Sequence, residues 1–206
     1  MQELLQTEWA EGIETLSRFR QTAYFAQLEQ AYSALDASVL YKSRLHGPGH
    51  IERVLLLGAL IAWKEALSPG DTELLLLACA YHDIGRVNDN RDDAHGARSA
   101  QLLRKPRFAP LVSPLAERDR RILTAAVETH SLHSAGMAAI GQKHRIEAGE
   151  MDRYLLLASC LKDADTLDRV RLGDLDVSRL RLRSGAELAP FAEALYRQYQ
   201  RYPADG

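Results

Sequence analysis

A histidine and an aspartate, His82 and Asp83, stand together at the end of a nearly unbroken apolar run, "LLLLACAYHDIGR" (residues 74–86). Burying an imidazole and a carboxylate beside such a run is costly unless something pairs with them. Helical spacing turns further polar groups inward. His50 shares a face with Val54, Leu57 and Ile61. His95 shares a stripe with Ser99 and Leu102, and His130 lies above Ala126, Leu123 and Ile122. In "LLLASCLKDADTLDRV", Asp165 lies over Leu161, Ala158 and Leu157, whereas Asp163 points toward Ser159 and Asp152. One inward histidine is ordinarily a satisfied core residue, but an inward aspartate needs a cationic partner. No lysine or arginine is obviously placed to serve all of them. Several such residues on different helices therefore favour one shared partner, a divalent metal, since imidazole nitrogens and carboxylate oxygens are ligands for Mn, Fe, Ni, Co, Zn or Mg. His133 and His144 lie in looser polar context and read as surface residues.

The elements that must carry these groups are helical throughout, with no convincing alternating strand, no hairpin turn and no repeat. Residues 2–18 and 21–36 read as amphipathic helices. "LHGPGH" is a loop before a helix from about His50 to Ala66. Ser68, Pro69 and Asp71 start the next helix, which runs to near Ile84 with Gly85 as its stop. "RVNDNRDD" is a polar loop. Helices are expected from Ala94 to Arg104, from the Ser113–Pro114 pair to about Leu132, over 149–167 and over 186–201. "SAGMAAIGQKHRIEAG" reads as a connection, weakly helical at best. No linker divides the chain, so the expectation is a single all-α domain over residues 1–206.

Composition adds bounds. The chain has 206 residues, 46 % of them hydrophobic and 26 % charged, with a formal charge of -2, so no global basic pull toward nucleic acid or anionic membrane exists. "RDRR" (118–121) and "DRVRLGDLDVSRLRLRS" (168–184) read as solvated helix faces. Cys79 and Cys160 lie inside apolar runs and read as small core residues. No apolar run reaches the length of a membrane span, and the first residues lack the pattern of a signal peptide. A soluble, cytoplasmic protein is expected.

"GHIERV" (49–54), "YHDIGR" (81–86) and "KDADTLD" (162–168) together resemble the successive metal motifs of the HD-domain phosphohydrolase superfamily, in order and in helical setting, across roughly residues 46–170. The resemblance implies a helical bundle of the HD-domain type. It implies His50, His82, Asp83 and Asp165 as ligands of one metal, with His46 competing for the first position. His95 and His130 resemble additional histidines that in some members bind a second metal and in others contact substrate phosphate or the attacking water. The implied activity is metal-dependent hydrolysis of a phosphomonoester or phosphoanhydride by metal-activated water, the substrate being a small phosphorylated molecule such as a nucleotide. Arg86 stands where related proteins often carry Lys or Arg; it either holds phosphate or caps the helix end. Lys162 either adds a second substrate cation or pairs with Asp163 or Asp165, and Arg53 reads as a structural partner to an acid. Some nucleotidase members carry a Glu shortly after the His-Asp pair, where this chain has Arg86. Asp89, Asp92, Asp93, Glu128 and His130 are then open candidates for proton transfer. Two alternatives stand beside hydrolysis: a di-iron HD-fold oxygenase, and a nucleotide-binding regulatory module without turnover.

Overall fold

The computed structural model describes residues 13–201, with side chains from 14 to 198, and every regular element among them is helical. Ten α-helices are described: α1 (Ile13–Phe19), α2 (Ala23–Ala34), α3 (Pro48–Lys64), α4 (Pro69–Tyr81), α5 (His95–Leu103), α6 (Ala109–Val112), α7 (Glu117–Thr129), α8 (Met137–Lys143), α9 (Met151–Leu167) and α10 (Arg183–Arg201). The first part of the helix expected over 2–18 lies outside the described residues.

The core forms around α3. Between His50 and Ala62 every residue of α3 except Glu52 is buried, which follows from its run of Val, Leu, Ile and Ala on all sides. It packs against α2, α4, α9 and α10, while α5 lies against α7. Tight approach is needed where α3 meets α4, because a Cβ on Gly58 would fall 2.7 Å from the Cys79 Sγ. Cys79 and Cys160 are both buried free thiols. The start of α4 follows the expected chemistry: the Ser68 hydroxyl accepts from the Asp71 N–H at 3.1 Å, and Pro69 occupies the first turn.

Several boundaries differ from the sequence expectation. The helix expected to reach Ile84 ends at Tyr81, and His82 caps it. Gly85 is not a left-handed stop, because the described residues include one positive-φ glycine, Gly173. Gly85 is instead a contact surface: an added Cβ would lie 2.4 Å from the Ser99 N and 2.6 Å from the His95 O. The helix expected from Ser113 begins at Glu117. Ser113 closes α6, and its hydroxyl donates back to the Ala109 carbonyl at 2.6 Å, so it caps nothing that follows. The stretch expected as a connection holds α8, stabilised by burial of Met137 and by the Tyr154 hydroxyl donating to its carbonyl at 2.9 Å. The segment 168–184 is not a solvated helix face; it runs through two 3₁₀ turns, Asp168–Leu172 and Val177–Arg179, and Asp168 is buried.

Gly85→Ala should therefore overpack the seam between the 82–85 turn and α5. Chemical denaturation is expected to show a loss of about 1–3 kcal/mol, with an unchanged m-value.

Candidate metal centre

Five helices deliver the polar groups to one place. His50 lies in the first turn of α3, His82 caps α4, and Asp83 follows it. His95 opens α5, His130 caps α7, and Asp165 sits in the last turn of α9. The His50 Nε2 lies 3.2 Å from the His82 Nε2 and 3.4 Å from an Asp165 carboxylate oxygen. Asp83 faces two ways. Its Oδ2 is 3.6 Å from the His50 Nε2 and 3.3 Å from the His46 Nδ1. Its Oδ1 is 3.0 Å from the His95 Nε2 and 3.4 Å from the His130 Nε2. The last two nitrogens are themselves 2.7 Å apart. Two ligands each bound at roughly 2.1 Å and adjacent on one metal are roughly 3 Å apart, so these separations suit a coordination shell.

The back of each ring explains its orientation. His82 donates its Nδ1–H to the Cys79 carbonyl at 2.9 Å, and His130 donates to the Val127 carbonyl at 2.6 Å. Both histidines cap a helix and use the carbonyl three residues earlier. His95 donates to the Asp92 carbonyl in the preceding loop. His50 donates to the Asp168 carboxylate at 2.8 Å. Every acceptor is one that cannot donate, so all four rings carry the proton on Nδ1 and present the Nε2 lone pair to the centre. Four lone pairs and two carboxylates repel unless a cation lies between them. Asp83 Oδ1 is buried and has no hydrogen-bond partner, which is where that repulsion is least relieved. The donor set fits a divalent metal: His50, His82 and Asp165 form one close group of ligand atoms, and His82, Asp83 and His130 form another. His46 with His50 and Asp83 forms a further close group, and the His95 Nε2 stands beside the Asp83 Oδ1 and the His130 Nε2.

The family model described as HD domain matches residues 49–170, more than half of the chain. The chain belongs to the HD-domain family. Comparison with curated proteins and with solved structures finds no significant similarity. The HD-domain family consists mostly of metal-dependent phosphohydrolases, and this HD domain carries a His/Asp cluster that could hold a metal.

The electrostatics of this HD domain favour the ligand forms. Burial lowers His50 and His130 to about 4, so both are neutral near pH 7. Burial alone would raise Asp83 and Asp165, but in acid the positive charge on protonated histidines around them outweighs it and holds both below the usual carboxylate range. Neutral imidazoles and ionised carboxylates are the states a metal requires.

Other residues take places the sequence did not foresee. Asp168 is a positioning group missed in the sequence: beside His50 it binds Arg53 at 2.6 Å and Arg171 at 3.3 Å. Arg53 thus has the acidic partner expected of it. The signal for Asp168 was present, since it ends "KDADTLD" three residues after Asp165. Asp163 is not turned to the outer face; it is fully buried, accepting from the Arg181 and Leu182 N–H groups and from the Arg181 guanidinium. Arg86 bonds Asp83 directly, its Nε donating to Oδ2 at 2.9 Å. Lys162 forms no ion pair with Asp163 or Asp165. Its ammonium donates to the carbonyls of Thr129, His130 and Leu132, at 3.0, 3.0 and 2.5 Å, leaving no donor for a substrate. His133 is exposed, but His144 is buried against Glu128, which turns Glu128 away from the centre.

Two outcomes follow. Asp168→Ala should weaken metal binding roughly 10- to 100-fold, measured by competition with a chromophoric chelator, because His50 loses the acceptor that fixes its tautomer. In the metal-free protein the unfolded state protonates His50 and His130 near pH 6.5, whereas the folded state resists until about 4. Stability should therefore fall as pH drops from about 6.5 toward 4, by up to roughly 1.4 kcal/mol per pH unit for each imidazole, in urea titrations across that window.

Proposed function

We propose that this HD domain is a metal-dependent phosphohydrolase that cleaves a phosphomonoester or phosphoanhydride of a small molecule, with a nucleotide as the substrate class. The observation that supports this reading is the surface onto which the donor cluster opens. His46, His95, His130 and Asp165 line one side of a cavity of about 870 Å³, and Arg86, Arg91, Arg169, Arg179 and Arg181 line it as well. A phosphate entering it meets guanidinium groups suited to bidentate contact with phosphoryl oxygens.

A divalent cation, when bound, supplies an acidified water and polarises a phosphoryl oxygen. The chain's own residues do the rest. Arg86 lines the cavity while its Nε holds Asp83, so it joins the phosphate pocket to the ligand cluster. Lys162 fixes the 129–132 turn and with it His130. The Asp92 carbonyl fixes His95 from the loop that also contributes Asp89 and Asp93 to the cavity wall.

The test is phosphate release from nucleoside mono-, di- and triphosphates and simple aryl phosphates, by protein whose metal content is verified after loading with Mn, Co, Ni or Mg. Turnover is expected with at least one pair, and His82→Ala or Asp83→Ala should reduce it more than roughly 100-fold, beyond the loss for an outer-shell partner. No product from any combination overturns the proposal; tight nucleotide binding in that same sample would favour a regulatory module. A second reading, di-iron oxygenase chemistry, draws support from the close pair His95 and His130 facing the unpartnered Asp83 oxygen. It predicts oxygen uptake dependent on iron, which the hydrolase does not.

A further inference from the structure

A second cavity, of about 770 Å³, is bounded by the end of α5, by α6, by the first turns of α7 and by the end of α8, and it shares no lining residue with the cavity over the metal centre. Six cationic side chains line it: Arg104, Lys105, Arg120, Arg121, Lys143 and Arg145. Its one lining acid is Glu117, so the lining carries a formal excess of five positive charges in a chain whose net charge is -2. Gathering like charges around one concavity is unfavourable unless an anion occupies it.

Internal acids supply only part of that negative charge. Glu117 is already engaged, one oxygen by the Arg120 Nε and Nη2 at 3.1 and 2.9 Å, the other by the Arg121 Nε at 3.0 Å. Glu128, behind the wall, takes the Lys143 ammonium and the His144 Nε2–H. Among the described residues the side chains of Lys105 and Arg145 have no acidic partner.

Parts of the wall are fixed in advance. His144 is 8 % exposed, and its Nδ1 accepts from the Arg104 guanidinium at 3.2 Å, with the Thr124 hydroxyl at the same distance. The buried imidazole therefore orients Arg104. Arg121 reaches across to the Arg145 carbonyl at 3.1 Å, and Arg145 itself holds a left-handed backbone, φ 57°. The remaining lining is apolar, with Leu103 and Val112 buried and Pro106 and Ala109 beside them.

We propose that this cavity is a second binding site, separate from the metal centre, for a nucleoside di- or triphosphate. With Glu117 and Glu128 set against the six cations, four uncompensated charges remain, which exceed what one phosphate neutralises, and the apolar lining gives a ring system a surface to cover. A nucleic-acid strand fits less well: the positive charge is confined to a concave pocket, and the net negative charge of the chain opposes a long polyanion.

The experiment titrates ATP, inorganic tripolyphosphate and a single-stranded oligonucleotide into the full chain in EDTA, which removes metal-dependent turnover. ATP should bind saturably, and more tightly than tripolyphosphate. Asp83→Ala should leave that affinity unchanged. The double variant Arg104→Glu with Lys105→Glu, and separately Arg145→Glu, should each weaken it by roughly tenfold or more. All three residues are exposed, so circular dichroism should confirm a native fold. No saturation below about 1 mM ATP, a constant worth only about 4 kcal/mol, overturns the proposal. So does a loss in Asp83→Ala that matches the loss in the charge reversals, which would place the phosphate at the metal centre. Equal affinity for tripolyphosphate overturns the nucleoside assignment, and tighter binding of the oligonucleotide transfers the cavity to nucleic acid.

Discussion

The arrangement depends on one electrostatic constraint. Four imidazoles have their protons fixed on the outer nitrogen, so their inner lone pairs meet one another and two ionised carboxylates. The rings cannot relieve this by changing tautomer, because each outer nitrogen faces an acceptor without a proton to give. Protonation relieves it only at a pH near 4 for His50 and His130, because burial disfavours the charged ring. A divalent cation is the remaining source of compensation that matches the chemistry of all these atoms.

The helices meet this constraint with short local devices. His82 and His130 use the same one: each caps a helix and hands its outer proton to the carbonyl three residues back, a group the helix end leaves free. No other element is needed to aim either ring. His95, at a helix start, also uses the carbonyl three residues back, that of Asp92 in the loop before α5, whereas the acceptor of His50 comes from elsewhere, the Asp168 carboxylate after α9. That difference explains why Asp168 must be a buried carboxylate and why the polar loop 86–93 has a fixed course near its end.

Much of this was legible in the sequence, for a physical reason in each case. The inward placement of His50, His130 and Asp165 was readable because helical periodicity depends only on nearest turns. Asp163 was misplaced by the same rule, since its partners, Arg181 and Leu182, arrive from a segment with no periodicity to read. His144 looked exposed for a similar reason: α8 is too short to show an amphipathic pattern, and the histidine is buried by Glu128 and Thr124 from a different helix. Gly85 was assigned a helix-ending role because glycine commonly has one, whereas the residue that needs the space is Ser99, fourteen positions later. Local rules located elements and faces; long-range packing decided which polar residues share a pocket.

The cations near the metal centre show how its cost is distributed. Arg53 and Arg171 compensate Asp168, Arg86 compensates one oxygen of Asp83, Arg181 compensates Asp163, and Lys162 satisfies carbonyls at the end of α7. Buried ion pairs of this kind seldom add net stability over a well-packed apolar core of equal volume. Their value lies in fixing positions. The pairs of Asp168 hold the outer side of His50 and leave its inner nitrogen to the centre, and the Arg86 pair takes one oxygen of Asp83 and leaves the other without a protein partner. The unpaired Asp83 oxygen marks where that arrangement stops. A bundle selected for stability alone would have closed that gap with a methyl group or an amide; here the Arg86 guanidinium takes the neighbouring oxygen and stops one atom short of it, so the gap belongs to the chemistry of the centre and not to the packing of the core.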